Sequence, residues 1–279
     1  MIEKPSLYYV SNSDVGFVVP YKGFRWKKAG EGMAVKKTNN TAVLLVHGIL
    51  GRPEQFKDLL PLIPKKWYIR NLTLKGHGST PEELGKYPVS EWKAEVHREA
   101  AELCDNYEHV YIVGHSLGTI FAIQESLVLP VGKLFLINVP LRVGITRRLF
   151  KLGFQVFFDC VDENDQFMVA AQKAYGVCLD RNIFHYRKWI FRYLELFSQI
   201  RQTRKIIGEL SAQTMAFISA KDEMASPISG DILAEMTKAE VVVMPDSGHV
   251  YYAPEDLEVM KDCFTKFLLE DNQSESIRG

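Results

Sequence analysis

The sequence predicts an α/β fold, a doubly wound and mostly parallel sheet with an inserted helical lid. Three observations lead there. Six short aliphatic and β-branched runs recur along the chain. Helix-patterned segments such as "SEWKAEVHREAAELCDNY" separate them. One interval, from about Leu141 to Thr214, carries helical periodicity and no strand signal. Strands alternating with helices imply βαβ units.

The runs are "TAVLLVH" (Thr41–His47), "WYIRNLTL" (Trp67–Leu74), "HVYIVGH" (His109–His115), "KLFLINV" (Lys133–Val139), "TMAFISA" (Thr214–Ala220) and "AEVVVMP" (Ala239–Pro245). Most are apolar almost throughout, which suits strands covered on both faces. Before residue 41, "KAGEG" and "KKTNN" read as turns, and an antiparallel edge hairpin fits there. The long interval is too long for an ordinary crossover. Residues 1–141 and 206–279 therefore read as the core, and 142–205 as the lid. In the lid, Phe150, Phe154, Phe157 and Phe158 fit one helical face. Tyr186, Trp189, Ile190, Tyr193, Leu194, Phe197 and Ile200 fit another. Two roles are open for these rings: gluing the lid to the core, or lining an apolar substrate pocket. Phe157 and Trp189 are the candidates for the second. The tail "EDNQSESIRG" reads as frayed.

Composition narrows the function. The formal net charge is zero and the pI about 7.1, which gives no electrostatic reason to expect a nucleic-acid or anionic-surface partner. The four cysteines form no C-x-x-C pair, so a zinc ribbon or redox motif is not expected. No apolar run approaches the roughly 20 residues of a membrane span. "MIEKPSLYYV" lacks the basic-then-apolar pattern of a signal peptide, so the expected location is cytoplasmic.

The chemistry concentrates in "VYIVGHSLGTIFA". A polar His-Ser pair interrupts an apolar strand and an apolar helix, with glycines two positions either side of Ser116. Gly-x-Ser-x-Gly between a strand and a helix is the nucleophile-elbow pattern. It places the serine on a strained turn above the sheet, with strand and helix packed closely beneath. The Leu117 N–H, in the first helical turn, can face a developing oxyanion.

A serine hydroxyl needs a base near neutral pH. His249, in "MPDSGHVYYAPE" after the last run, alone among the histidines combines a strand-end loop, small neighbours and a late position. The base needs a carboxylate to fix its tautomer. Asp222, in "FISAKDEMASP", follows the preceding run, and Glu223 beside it is the rival acid. In "LLVHGILGRPEQF", Gly48 permits an unusual turn that lets the Ile49 N–H join that of Leu117. His47 reads as a brace for this loop, and His77 in "GHG" as structural.

With these residues in hand, the chain resembles a serine hydrolase of the α/β-hydrolase superfamily, and is most similar to small carboxylesterases and monoacylglycerol-lipase-like enzymes. The resemblance spans about Thr41 to Leu269 and rests on "HGILG", "LKGHGST", "GHSLG", "SAKDEMASP" and "DSGH", in that order. It implies Ser116 as nucleophile, Asp222 as acid, His249 as base, and Ile49 with Leu117 as oxyanion donors. The expected substrates are small-molecule esters, monoacylglycerols being one candidate that the resemblance implies; the aromatic residues of the lid point to small to medium apolar or aromatic acyl groups. No metal or organic cofactor is required. Amidase or peptidase action, C–C hydrolysis and acyl transfer use similar parts on this scaffold, as does a non-catalytic binding protein. Thr119 departs from the pattern, standing where many relatives carry a second glycine.

Overall fold

The computed structural model describes residues 39–144, 162–174, 176–178, 180 and 182–270. The hairpin expected ahead of the first strand, and Phe150, Phe154, Phe157 and Phe158, lie outside the described residues.

Six strands fall on the six apolar runs: β1 (Asn39–Val46), β2 (Tyr68–Leu72), β3 (Tyr107–His115), β4 (Lys133–Ile137), β5 (Gln213–Ser219) and β6 (Glu240–Met244). They form one sheet of order β2-β1-β3-β4-β5-β6, parallel throughout. Side chains alternate across a strand, so each run feeds two cores. Ala42, Leu44, Val46, Val110, Ile112, Leu134, Leu136, Ala216 and Ile218 face one side. Val43, Leu45, Tyr111, Val113, Phe135, Ile137, Met215 and Phe217 face the other. Both faces of the central strands are covered, which is why their runs show no polar alternation.

On the first face lie α1 (Pro81–Lys86), α2 (Val89–Asn106) and α3 (Leu117–Ser126). In α2 the buried Val89, Trp92, Val96, Ala100 and Leu103 follow three- and four-residue steps, one stripe of an amphipathic helix. Every residue of α3 from Leu117 to Glu125 is buried, so this helix is apolar nearly all round. The second face is closed by α7 (Pro254–Leu269), through Met260, Phe264, Phe267 and Leu268, and by short 3-10 turns carrying Phe56 and, beside them, Leu59. Between β5 and β6 runs α6 (Ile228–Met236).

The interval between β4 and β5 contains α4 (Gln166–Ala174) and α5 (Trp189–Ile206). The aromatic face read from the sequence for α5 divides in two. Trp189 and Tyr193 are partly buried and Leu196 and Ile200 fully so, packed on the first core. Ile190, Leu194 and Phe197 point outward, 62%, 59% and 40% exposed. The reason is the helical angle: these lie about 100° round from the inward stripe, and both stripes are apolar in sequence. Among the described residues, no helix is long and apolar enough to cross a membrane.

The strand order fixes where a ligand can bind. From β1 the chain moves outward to β2, then crosses back to place β3 on the other side of β1. Such a reversal opens a crevice beyond the carboxyl ends of the two strands. The loops there start at His47 and at Ser116.

Candidate active site

Ser116 sits between β3 and α3 with φ 51° and ψ −118°. For a residue with a Cβ this conformation costs about 1–3 kcal/mol. Hydrogen bonds offset it: the Ser116 N–H donates to the Ile137 carbonyl (2.9 Å), and the Ser116 carbonyl accepts from the Thr119 N–H (2.9 Å). The turn is possible because strand and helix nearly touch. A Cβ on Gly118 would lie 1.9 Å from the Val46 carbonyl oxygen, and one on Gly114 2.8 Å from the Gly118 backbone. Thr119 takes part in the same turn, since its hydroxyl donates to the Ser116 carbonyl at 2.6 Å.

The loop after β6 brings His249 to this serine, and the loop after β5 brings Asp222 to His249. Nε2 of His249 is 3.0 Å from Ser116 Oγ, and Nδ1 is 2.8 Å from Asp222 Oδ2. A carboxylate only accepts, so Nδ1 carries the proton and Nε2 is free to accept from the hydroxyl. Asp222 is fixed through its other oxygen, which accepts from the Met224 and Ala225 N–H groups, both at 2.7 Å. The His249 loop is tied to α7, because Asp256 Oδ2 accepts from the Asp246 N–H (3.0 Å) and the Ser247 hydroxyl (2.7 Å). Ser116, Asp222 and His249 are all at least nine-tenths buried.

Glu223 reaches the same histidine differently. Its Oε2 accepts from the His249 backbone N–H at 3.2 Å, while the imidazole bonds Asp222. Burial is the largest influence on His249 and disfavours its charged form. The Asp222 charge and hydrogen bond, with the Glu223 charge, outweigh it and hold His249 above the ordinary imidazole pKa. Burial pushes Glu223 up.

Beyond β1, Gly48 to Gly51 close a turn, with the Gly51 N–H donating to the Gly48 carbonyl at 3.0 Å. Leu50 adopts φ 60° at its third position. A Cβ on Gly48 would stand 2.9 Å from the Ser116 Cβ, so this loop passes in contact with the serine and Ile49 follows directly. His47 braces the turn: its Nδ1–H donates to the Gly48 carbonyl (2.8 Å) and its Nε2 accepts from the Leu74 N–H (3.1 Å). Burial drives His47 down to about 4, so it is neutral near pH 7. His77 packs between His47 and Trp92, each ring centroid 4.8 Å away.

The cavity adjoining His249 is narrow, about 10 Å³, and is lined by Ile49, Gln55, His115, Ala171, Glu223, Met224 and Val250. Ala171 brings α4 over the site, and Phe167 of α4 packs on Tyr251 with centroids 4.6 Å apart. Trp189 is turned elsewhere. Its indole N–H donates to the Pro81 carbonyl (2.8 Å) and its ring meets Tyr186 edge-on. The indole thus fastens α5 to α1. Phe157 lies outside the described residues. A larger groove of about 490 Å³, between Leu141–Val143 and the C-terminal half of α5, shares no lining residue with the cavity at His249.

Sequence reasoning missed Asn138, His115 and Asp256. Asn138, just after β4, adopts φ 54°, a region asparagine tolerates better than most residues. A buried asparagine at a strand end was the available signal, but its partners are more than 80 positions distant in sequence.

Comparisons with known proteins bear on the family and the fold. The profile described as "Alpha/beta hydrolase family" matches residues 43–260. The chain is similar to a thermostable monoacylglycerol lipase of Bacillus sp. (strain H-257), at 24% identity over 80% of this chain and 90% of that one. Among solved structures it is similar to the monoacylglycerol lipase of Paleococcus ferrophilus, with TM-score 0.62 and 16% identity, covering 83% of this chain and 96% of that one. It is also similar to the enol-lactonase of Burkholderia xenovorans LB400, with TM-score 0.56 and 14% identity, covering 84% and 92%. The strand order, the elbow and the extent of the profile match lead to one conclusion: this chain belongs to the alpha/beta hydrolase family.

Proposed function

We propose that the protein is a serine carboxylic-ester hydrolase. The observation that carries this reading is the chain of contacts from Ser116 Oγ to His249 Nε2 (3.0 Å) and from His249 Nδ1 to Asp222 (2.8 Å), at the crevice where the strand order reverses. Ser116 attacks the ester carbonyl and passes its proton to Nε2. The charge that forms on the imidazole is stabilised by Asp222. The oxyanion is held by the N–H groups of Ile49 and Leu117, the second reinforced by the positive end of α3. His249 returns the proton to the leaving alcohol. It then deprotonates a water molecule that releases the acid and restores Ser116. The relatives named above, a lipase and a lactonase among them, support ester chemistry.

His249 must be neutral to accept the proton. Its pKa is raised, so kcat/KM should rise through an acid limb centred above about pH 6.5, the ordinary imidazole value. A limb centred below that value would contradict the electrostatic reading.

The expected substrates carry small to medium apolar or aromatic acyl groups. The cavity at His249 is too narrow for such a chain, so α4 acts as a lid that shifts outward on entry. Each methylene buried contributes up to about 0.8 kcal/mol, a few-fold in kcat/KM, until the pocket is full. A p-nitrophenyl ester series run beside amide analogues, with fluorophosphonate labelling, tests the reading. Labelling with turnover rising from acetyl to medium-chain esters, and little amide turnover, is the expected result. Absence of labelling would overturn it. In the same series, Ala171→Leu is expected to move the optimum to shorter chains. Trp189→Ala is expected to lower Tm and leave the optimum in place, because the indole serves packing.

A further inference from the structure

We propose that His115 and Asn138 are positioning residues that hold the main chain of His249, leaving its imidazole as the part free to respond to the proton. This rests on the reading of His249 as the base.

The carbonyl of His249 accepts two hydrogen bonds, from His115 Nε2–H at 2.9 Å and from Asn138 Nδ2–H at 2.8 Å. The same asparagine amide lies 3.2 Å from the Gly248 carbonyl, and its Oδ1 accepts from the Ser219 N–H at 2.9 Å. The His249 N–H donates to Glu223 at 3.2 Å. Both polar groups of the His249 peptide backbone are therefore tied to side chains from β3, from the end of β4 and from the loop after β5. These three elements also carry or flank Ser116 and Asp222. A shift of any one relative to His249 would lengthen the proton path, and a misplacement of about 1 Å costs on the order of 100-fold in rate.

His115 is suited to this task and to no proton transfer of its own. It is 2% exposed. A carbonyl partner requires the proton on Nε2, and Nδ1, which faces Gly48, has no hydrogen-bond partner among the described residues. Burial, followed by the neighbouring His249, pushes its pKa down to about 3. His115 thus stays neutral while His249 titrates, and the groups that set the charge on His249 are Asp222 and Glu223. Asn138 is one of three described non-glycine residues with positive φ, beside Ser116 and Leu50. All three follow the carboxyl ends of strands β1, β3 and β4, so the backbone accepts strain at positions beside the candidate reacting groups.

The test uses purified full-length His115→Leu, His115→Gln and Asn138→Gly, with Ser116→Ala as reference. Glycine keeps the left-handed backbone and removes only the amide. Glutamine offers an N–H donor at about the reach of imidazole Nε2. His115→Leu and Asn138→Gly are expected to lower kcat about 10- to 100-fold with KM within about twofold. The acid limb of kcat/KM should move to lower pH, because a displaced imidazole loses part of the Asp222 interaction that offsets its burial. His115→Gln should recover to within a few-fold of wild type. Loss that tracks Tm with an unmoved limb, or His115→Gln as damaged as His115→Leu, would overturn the proposal. If Ser116→Ala is inert while His115→Leu and Asn138→Gly match wild type, the positioning claim alone fails. If Ser116→Ala remains active, the reading of His249 as its base fails with it.

Discussion

Replacing Ser116 with alanine is expected to abolish fluorophosphonate labelling and to lower ester turnover by at least about three orders of magnitude. Ser116 occupies the turn between β3 and α3, and its hydroxyl lies 3.0 Å from His249 Nε2. Alanine has nearly the same size and the same Cβ, so the packing around Gly114, Gly118 and Gly48 is retained. What remains is oxyanion stabilisation and binding, which leave a small residual rate over water. Circular dichroism and Tm should match wild type. Purified Ser116→Ala with turnover within tenfold of wild type would remove Ser116 from the mechanism.

Asp222→Asn is expected to reduce kcat/KM by about 10³- to 10⁴-fold, and Glu223→Gln by tenfold or less. The two acids are adjacent in sequence but reach different atoms of His249. Asp222 bonds the imidazole Nδ1, and Glu223 the backbone N–H. An asparagine in place of Asp222 stabilises imidazolium less and can present its amide N–H to Nδ1, which selects the wrong tautomer. It also removes the charge that offsets burial, so the acid limb should move to lower pH. A glutamine in place of Glu223 keeps a carbonyl oxygen able to accept from the His249 N–H. Measuring kcat/KM for both variants across pH checks the pair. The reverse ranking would transfer the acid role to Glu223.

The sheet was legible because local and global signals coincide. The central strands β1, β3, β4 and β5 are buried on both sides, so their apolar runs need no knowledge of their neighbours to be read. The elbow was legible for a similar reason: Gly114 serves a contact with Gly118 and Thr119 made within five residues, although Gly118 also makes room for the distant Val46 carbonyl. The two faces of α5 were less so, because hydrophobicity alone does not say which apolar stripe meets the core. Trp189 shows the consequence. In sequence its ring was open to a packing or a pocket role, and in the structure its indole N–H donates to the Pro81 carbonyl, a partner no local pattern could name.

The sequence by itself determined where six strands lie along the chain, the turn that carries Ser116, and the two late loops that carry Asp222 and His249. These follow from periodicity, glycine placement and strand ends, all of which act over a few residues. The tertiary structure alone decided which acid meets the imidazole, which side chains hold the His249 backbone, and what covers the cavity. Asp222 and Glu223 differ by one position, and only the direction each takes from its loop separates them. Asn138 and His115 act on a carbonyl more than 100 positions away. Such contacts leave no local pattern, because it is the parallel sheet that brings together strand ends far apart in the chain.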